Sequence, residues 1–104
     1  MSDFKELTQT SFEDTIPGTN DGIVIFYKEL CPHCKNMEKV LAKFSQKRPE
    51  VLIMRINIEE NASIAKSTGV ERPPTLLIIK QGSIVSKKTG LMNPKELMAT
   101  YDQA

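Results

Sequence analysis

The run Ile23-Val24-Ile25-Phe26-Tyr27, followed after three residues by Cys31-Pro32-His33-Cys34, decides how this chain folds. The first five residues are continuously apolar and rich in β-formers. The loop formers Pro17, Gly18, Asn20, Asp21 and Gly22 bound them on one side. Such a run reads as a strand buried on both faces, the kind found at the centre of a sheet. From Pro32 the period changes. Met37, Val40, Leu41 and Phe44 recur at helical spacing, while Lys35, Glu38, Lys39, Lys43 and Gln46 fall largely elsewhere. The spacing predicts an amphipathic helix over Pro32–Lys47, with Pro49 beyond its end. The basic residues along that helix read as a solvated surface rather than as a docking face.

Outward from this centre the elements alternate. Residues 4–7 suggest an initial edge strand, and Thr10-Ser11-Phe12-Glu13 has the form of a capping box opening a short first helix. Residues 51–58 read as a second strand, residues 61–67 as a short helix ended by Gly69, and residues 75–79 as a third buried strand. Gln81-Gly82 turns that strand into residues 83–87, which predicts a hairpin. Asn93-Pro94-Lys95-Glu96 combines an N-cap, Pro at the first helical position and Glu at the third, so a last helix should run to about Tyr101 with Leu97, Met98 and Tyr101 inward. Strands separated by helices imply a parallel part of the sheet, and the hairpin adds an antiparallel part. The class is α/β, a mixed sheet flanked by helices.

The totals fit one such unit. The chain has 104 residues, 39% hydrophobic and 26% charged, which suits a single domain over residues 1–104 and excludes a composition typical of disorder. With no Trp, four Phe and two Tyr, the core must be mostly aliphatic. Fourteen basic and thirteen acidic residues give a formal charge of +1, so charge offers no reason to expect nucleic acid or a membrane surface as partner. No apolar run approaches the roughly 18 residues needed to span a bilayer. The start, Met1-Ser2-Asp3-Phe4-Lys5-Glu6, has no apolar secretory core, so a cytoplasmic location is expected.

The cysteine count is the chemically informative number. There are two, Cys31 and Cys34. A disulfide between them closes so short a loop that it constrains the unfolded chain little, which argues against a structural staple. Zinc needs about four ligands; one C-x-x-C supplies half, and His33, the only histidine, is poorly placed as a third. Neither a metal nor a cofactor is expected. Reversible exchange suits an adjacent dithiol, and in a reducing compartment such a pair is more often catalytic than structural. Cys31 falls at a helix N-terminus, where unsatisfied N–H groups and the helix dipole favour negative charge, and Pro32 fits the first helical position. Cys34 lies one turn in and should be more buried. Cys31 is therefore the expected nucleophile and Cys34 the resolving thiol.

These residues carry a resemblance. The strand 23–27 with Cys31-Pro32-His33-Cys34-Lys35 resembles the active-site strand and helix of the thioredoxin family. Arg72-Pro73-Pro74-Thr75-Leu76-Leu77-Ile78-Ile79-Lys80-Gln81-Gly82 resembles that family's cis-proline strand and following turn. Asn57-Ile58-Glu59 and Thr89-Gly90 also match in place, so the likeness covers nearly the whole chain. It implies the thioredoxin fold, a cis Pro73–Pro74 bond, and Pro74 packed near the dithiol. It also implies a substrate-binding edge including Pro73, Arg72 and Leu30. For Arg72, plain surface solvation is the default reading.

The chain departs from the family's usual pattern at four places. Pro-His stands between the cysteines instead of Gly-Pro, which resembles strongly oxidising DsbA-type enzymes and the C-P-H-C members called desulfothioredoxins. His33 is expected to tune Cys31 by charge or by a hydrogen bond. The family usually buries a carboxylate six residues before the nucleophile, where this chain has Ile25, so slow resolution by Cys34 is expected. Leu30 replaces the aromatic residue that normally precedes the first cysteine. Pro73 lacks the N–H that normally pairs with bound substrate, a loss of about 0.5–1.5 kcal/mol.

The expected function is thiol–disulfide exchange on protein disulfides, nearer to an isomerase or oxidase than to a strong general reductase, in a monomer. One alternative reverses the direction: a reductase recharged by a thioredoxin-reductase-like flavoenzyme. Another changes the class, to a non-catalytic binding module on the same fold. A glutathione-using glutaredoxin fits less well, because Thr89-Gly90 is only half of the glycine pair expected after the proline strand.

Overall fold

The computed structural model describes residues 4–104. Five strands form one sheet in the order β1-β3-β2-β4-β5. These are β1 (Lys5–Leu7), β2 (Asp21–Tyr27), β3 (Leu52–Asn57), β4 (Thr75–Lys80) and β5 (Ser83–Thr89). The helices are α1 (Gln9–Thr15), α2 (Pro32–Lys47), α3 (Ala62–Thr68) and α4 (Pro94–Gln103), with a short 3-10 turn over Ile16–Gly18. Strands β1, β3 and β2 run parallel, whereas β4 is antiparallel to β2 and to β5. This is the thioredoxin fold, with the expected mixture of parallel and hairpin pairing.

Strand β2 is central and buried from Gly22 onward. Its side chains alternate between two cores, as a period of two requires. Val24 and Phe26 join Phe12, Ile64 and Val70 on the α1 and α3 side. Ile23 and Ile25 join Met37, Leu41, Phe44, Leu97 and Tyr101 on the α2 and α4 side. The apolar stripe of α2 falls on Cys34, Met37, Leu41 and Phe44, which are buried at one face of the helix. Met98 is only partly buried against the same core, beside the fully buried Leu97.

Two helix ends follow local chemistry. Gly69 ends α3 at φ 76°, a left-handed conformation that costs glycine little. Asn93 caps α4 by accepting from the Glu96 N–H at 2.7 Å, and Glu96 accepts from the Asn93 N–H at 3.0 Å. The start of α1 corrects the expectation. The cap is Thr8, whose side chain accepts from the Ser11 N–H, and Ser11 reciprocates. Because β1 ends at Leu7, the chain turns immediately, so Thr10 and Glu13 lie inside the helix.

Candidate active site

The dithiol sits where β2 ends. Lys28, Glu29 and Leu30 carry the chain from Tyr27 to Cys31, which is the N-cap of α2. Cys31 and Cys34 are joined as a disulfide. Both are buried, Cys31 at 7% exposure and Cys34 at 1%, and they pack with Tyr27. The exposure ranks them as attack from outside and resolution from inside would require. The Cys34 N–H donates to Cys31 Sγ at 3.2 Å. One first-turn N–H of a 16-residue helix thus meets the Cys31 sulfur, at the helix end that favours negative charge.

The neighbouring residues are placed as follows. Pro32 is exposed at the first helical position, where its missing N–H costs nothing. His33 is exposed, and among the described residues its side chain makes no hydrogen bond; the bond on Cys31 Sγ comes from the backbone. That leaves charge as the route by which His33 can act. Leu30 is 90% exposed and adopts φ 57°. The Pro73–Pro74 bond is cis, with Pro74 buried and Pro73 half-buried. Thr75 pairs with Phe26, so Pro74 enters the sheet at the same end as Tyr27 and the dithiol. The Pro74 carbonyl accepts from the Gly90 N–H at 2.9 Å, and Gly90 sits at φ 100°. Arg72 is exposed; its carbonyl accepts from Thr75 Oγ1 at 2.6 Å, and among the described residues its guanidinium has no ion-pair partner.

Ile25 is fully buried, so its place carries no carboxylate. A polar cluster that the sequence reading did not assemble lies beside it. Register places Glu6, Arg55 and Ile25 in one row across β1, β3 and β2. The Arg55 guanidinium stacks 3.9 Å from the Tyr27 ring centroid. Its NH2 nitrogen lies 3.4 Å from Glu38 Oε2 on α2. Its Nε lies 3.3 Å from Glu6 Oε1, off the hydrogen-bond direction, so that contact acts through charge. Tyr27 donates its hydroxyl to Glu6 Oε2 at 2.8 Å. Burial, and then the bond to Glu6, push the Tyr27 hydroxyl up to about 12. Burial also raises Glu38 above the usual carboxylate range, with Arg55 opposing and Glu6 and Glu29 assisting. In the sequence Glu38 falls among the solvated positions of α2. The signal that identifies it is its place four residues after Cys34, on the next turn of the same face.

No group of three or more His, Cys, Asp or Glu that could hold a metal occurs among the described residues. What the arrangement offers is a buried disulfide at a helix N-terminus, at the end of the sheet where the cis-proline enters.

Comparison with known proteins agrees with the chemistry. The thioredoxin family model matches residues 3–103. The thioredoxin of Listeria monocytogenes is 34% identical over 96 residues, covering 89% of this chain and 90% of that protein. A protein disulfide isomerase-like 2-1 of Oryza sativa is 32% identical over 103 residues, covering 95% of this chain but only 28% of that larger protein. Among solved structures, the reduced desulfothioredoxin of Desulfovibrio vulgaris Hildenborough superposes with a TM-score of 0.90 at 42% identity, over 100% of both chains. The chain belongs to the thioredoxin family, as a thiol–disulfide oxidoreductase with a Cys31–Cys34 disulfide.

Proposed function

We propose that this oxidoreductase favours isomerisation or oxidation of protein disulfides over general disulfide reduction. The observation that carries the reading is Cys31 at the N-cap of α2 with its sulfur accepting the Cys34 N–H. Groups that stabilise the Cys31 thiolate stabilise the reduced form. Each unit by which a thiolate is lowered beneath the working pH is worth about 1.4 kcal/mol, or about 30 mV for a two-electron couple. The exposed His33, two residues after Cys31, acts in the same direction through any positive charge it carries. In the mechanism, Cys31 thiolate attacks one sulfur of a substrate disulfide and expels the other as a thiolate. Cys34 thiolate then attacks Cys31 Sγ, restoring the protein disulfide and releasing the reduced substrate. Oxidation runs these steps backwards. Isomerisation stops at the mixed disulfide, and a second substrate thiol displaces Cys31. Pro73, with no N–H to offer an extended substrate, weakens docking and favours rapid release of varied partners.

The likeness to the plain thioredoxin of Listeria monocytogenes favours a second reading, a reductase recharged by a thioredoxin-reductase-like flavoenzyme. Equilibration of the purified dithiol in glutathione buffers separates the two. The first reading requires a potential clearly above the roughly −270 mV of ordinary thioredoxin. It also requires recovery of active protein from a disulfide-scrambled substrate. A potential at or below that value, with efficient flavoenzyme-driven reduction, selects the second.

A further inference from the structure

Resolution by Cys34 needs a proton acceptor, because only its thiolate attacks Cys31 Sγ. Cys34 is 1% exposed, so bulk water reaches it poorly. Three carboxylates surround the site. Glu29 is exposed in the turn before Leu30. The Glu6 side chain is 49% exposed and is already engaged by the Tyr27 hydroxyl and by Arg55. The Glu38 side chain is 17% exposed, the least of the carboxylates in the ion pairs, and it stands one helical turn beyond Cys34. Helical side chains at i and i+4 share a face and lean toward the N-terminus, which directs Glu38 back over the Cys34 turn.

We propose that Glu38 accepts the proton that Cys34 releases when it resolves a mixed disulfide, directly or through one water. Two independent features support this: the helical spacing, and the chain of contacts from Glu38 through Arg55 to the Tyr27 ring that packs on both cysteines. The balance is simple. The Cys34 S–H proton passes to the Glu38 carboxylate and the Cys34 sulfur bonds to Cys31 Sγ. The substrate sulfur leaves with the electron pair and collects the proton from Glu38 or from solvent. The groups facing Glu38 set its readiness. Arg55 from β3 draws it toward the charged form. Glu6 from β1, Glu29 from the loop after β2, and burial against the sheet hold it toward the protonated form. A carboxyl held above the ordinary carboxylate range in this way is a stronger proton acceptor than a surface glutamate. The inference rests on dithiol exchange itself and holds for either direction of net flow.

The test is stopped-flow reaction of the reduced protein with an aromatic disulfide that releases a coloured thiolate. The first release reports Cys31 attack and the second reports resolution by Cys34. With Glu38→Gln the second phase should slow about tenfold or more at pH 7. The first should stay within about twofold, and the deficit should shrink at alkaline pH, where hydroxide substitutes. Glu38→Asp should recover most of the rate. A second phase within about twofold of the parent, or one slowed equally at every pH, overturns the proposal. In the parent sequence, the Glu38 carboxyl carbon should titrate at different pH in the disulfide and dithiol forms, and identical titrations also overturn it. Neither readout depends on the glutathione potential, so the directional reading stands or falls separately.

Discussion

Arg55 of β3 and Glu38 of α2 meet at 3.4 Å across the packing of helix on sheet, and the guanidinium lies at the same time 3.9 Å from the Tyr27 ring. The ion pair only partly offsets the cost of burying the carboxylate, since Glu38 remains raised. A raised carboxyl binds its proton more tightly in the folded chain than in the unfolded one. Its contribution is fully present below the unfolded value, and it declines as pH rises through the folded value. Glu38→Gln should therefore gain stability relative to the parent as pH rises from about 4 toward neutrality. Urea unfolding at a series of pH values checks this. A stability difference that stays flat across the range rules the assignment out.

The tyrosines predict the opposite end of the pH scale. Tyr27 is pushed up to about 12, first by burial and then by its bond to Glu6. Tyr101, which donates to Asp21 Oδ1 at 3.0 Å, is raised by burial first and by that bond second. Both hydroxyls hold their protons longer when folded, so their stabilisation is complete below about pH 10 and is lost above it. Tyr27→Phe should flatten the alkaline decline between about pH 10 and 12. It should also cost about 0.5–1.5 kcal/mol at neutral pH for the lost hydrogen bond. An alkaline unfolding curve indistinguishable from the parent's would remove Tyr27 from the account.

The strand–dithiol–helix unit and the proline strand were legible because their signals are local. A continuous apolar run becomes β2, and α2 begins at Pro32 and ends at Lys47 as the periodicity indicates. The Glu38–Arg55–Glu6–Tyr27 cluster was not legible in this way. Its members come from four elements, and they meet only through the parallel register that sets Glu6 beside Arg55 and Arg55 beside Ile25. Glu38, seen along the helix alone, is one more charge between Met37 and Lys39. Ile25 is plain in the sequence and is fully buried in the fold. The Glu38 carboxylate reaches Arg55 from the helix side, a contact that no local pattern announces.

The α1 cap shows the same limit on a smaller scale. Thr10 and Glu13 have capping-box spacing, but Thr8 and Ser11 make the bonds, the Ser11 N–H donating to Thr8 Oγ1 at 3.3 Å. Thr8→Ala should cost about 0.5–1 kcal/mol, whereas Thr10→Ala, which replaces an exposed interior residue with the best helix former, should cost nothing or stabilise slightly. Chemical denaturation of the two variants decides the matter, and a larger loss from Thr10→Ala would place the cap at Thr10.

The core between α2 and α4 supports the dithiol helix from behind. Phe44 is fully buried, and its ring meets Tyr101 edge-on at a centroid distance of 5.4 Å. Phe44→Ala should cost about 3–5 kcal/mol through lost burial and the cavity left behind. The Cys31 N-cap lies at the far end of α2, so the rate of Cys31 attack should change little where the variant remains folded. Thermal unfolding and stopped-flow attack, measured on one sample, test both halves. A proportional fall in attack rate would mean that core packing sets the geometry at Cys31.

Leu30 is a large apolar side chain left 90% exposed on a left-handed backbone at φ 57°, immediately before the nucleophile. That conformation costs a residue with a Cβ roughly 1–2 kcal/mol, and exposure returns no burial in exchange, so Leu30 contributes little to folding. Glycine would relieve the backbone at the expense of a more disordered unfolded chain, about 0.5–1 kcal/mol. The relief outweighs the entropic cost, and Leu30→Gly should stabilise the fold by about 0.5–1 kcal/mol. What the variant should lose is apolar contact with protein substrates. Half-burying a leucine on docking is worth about 1 kcal/mol. The KM for a protein disulfide should therefore rise about fivefold. Turnover of a small soluble disulfide, too short to reach the side chain, should be unchanged. Equal losses on the two substrates would place Leu30 in shaping the Cys31 loop and not in substrate contact.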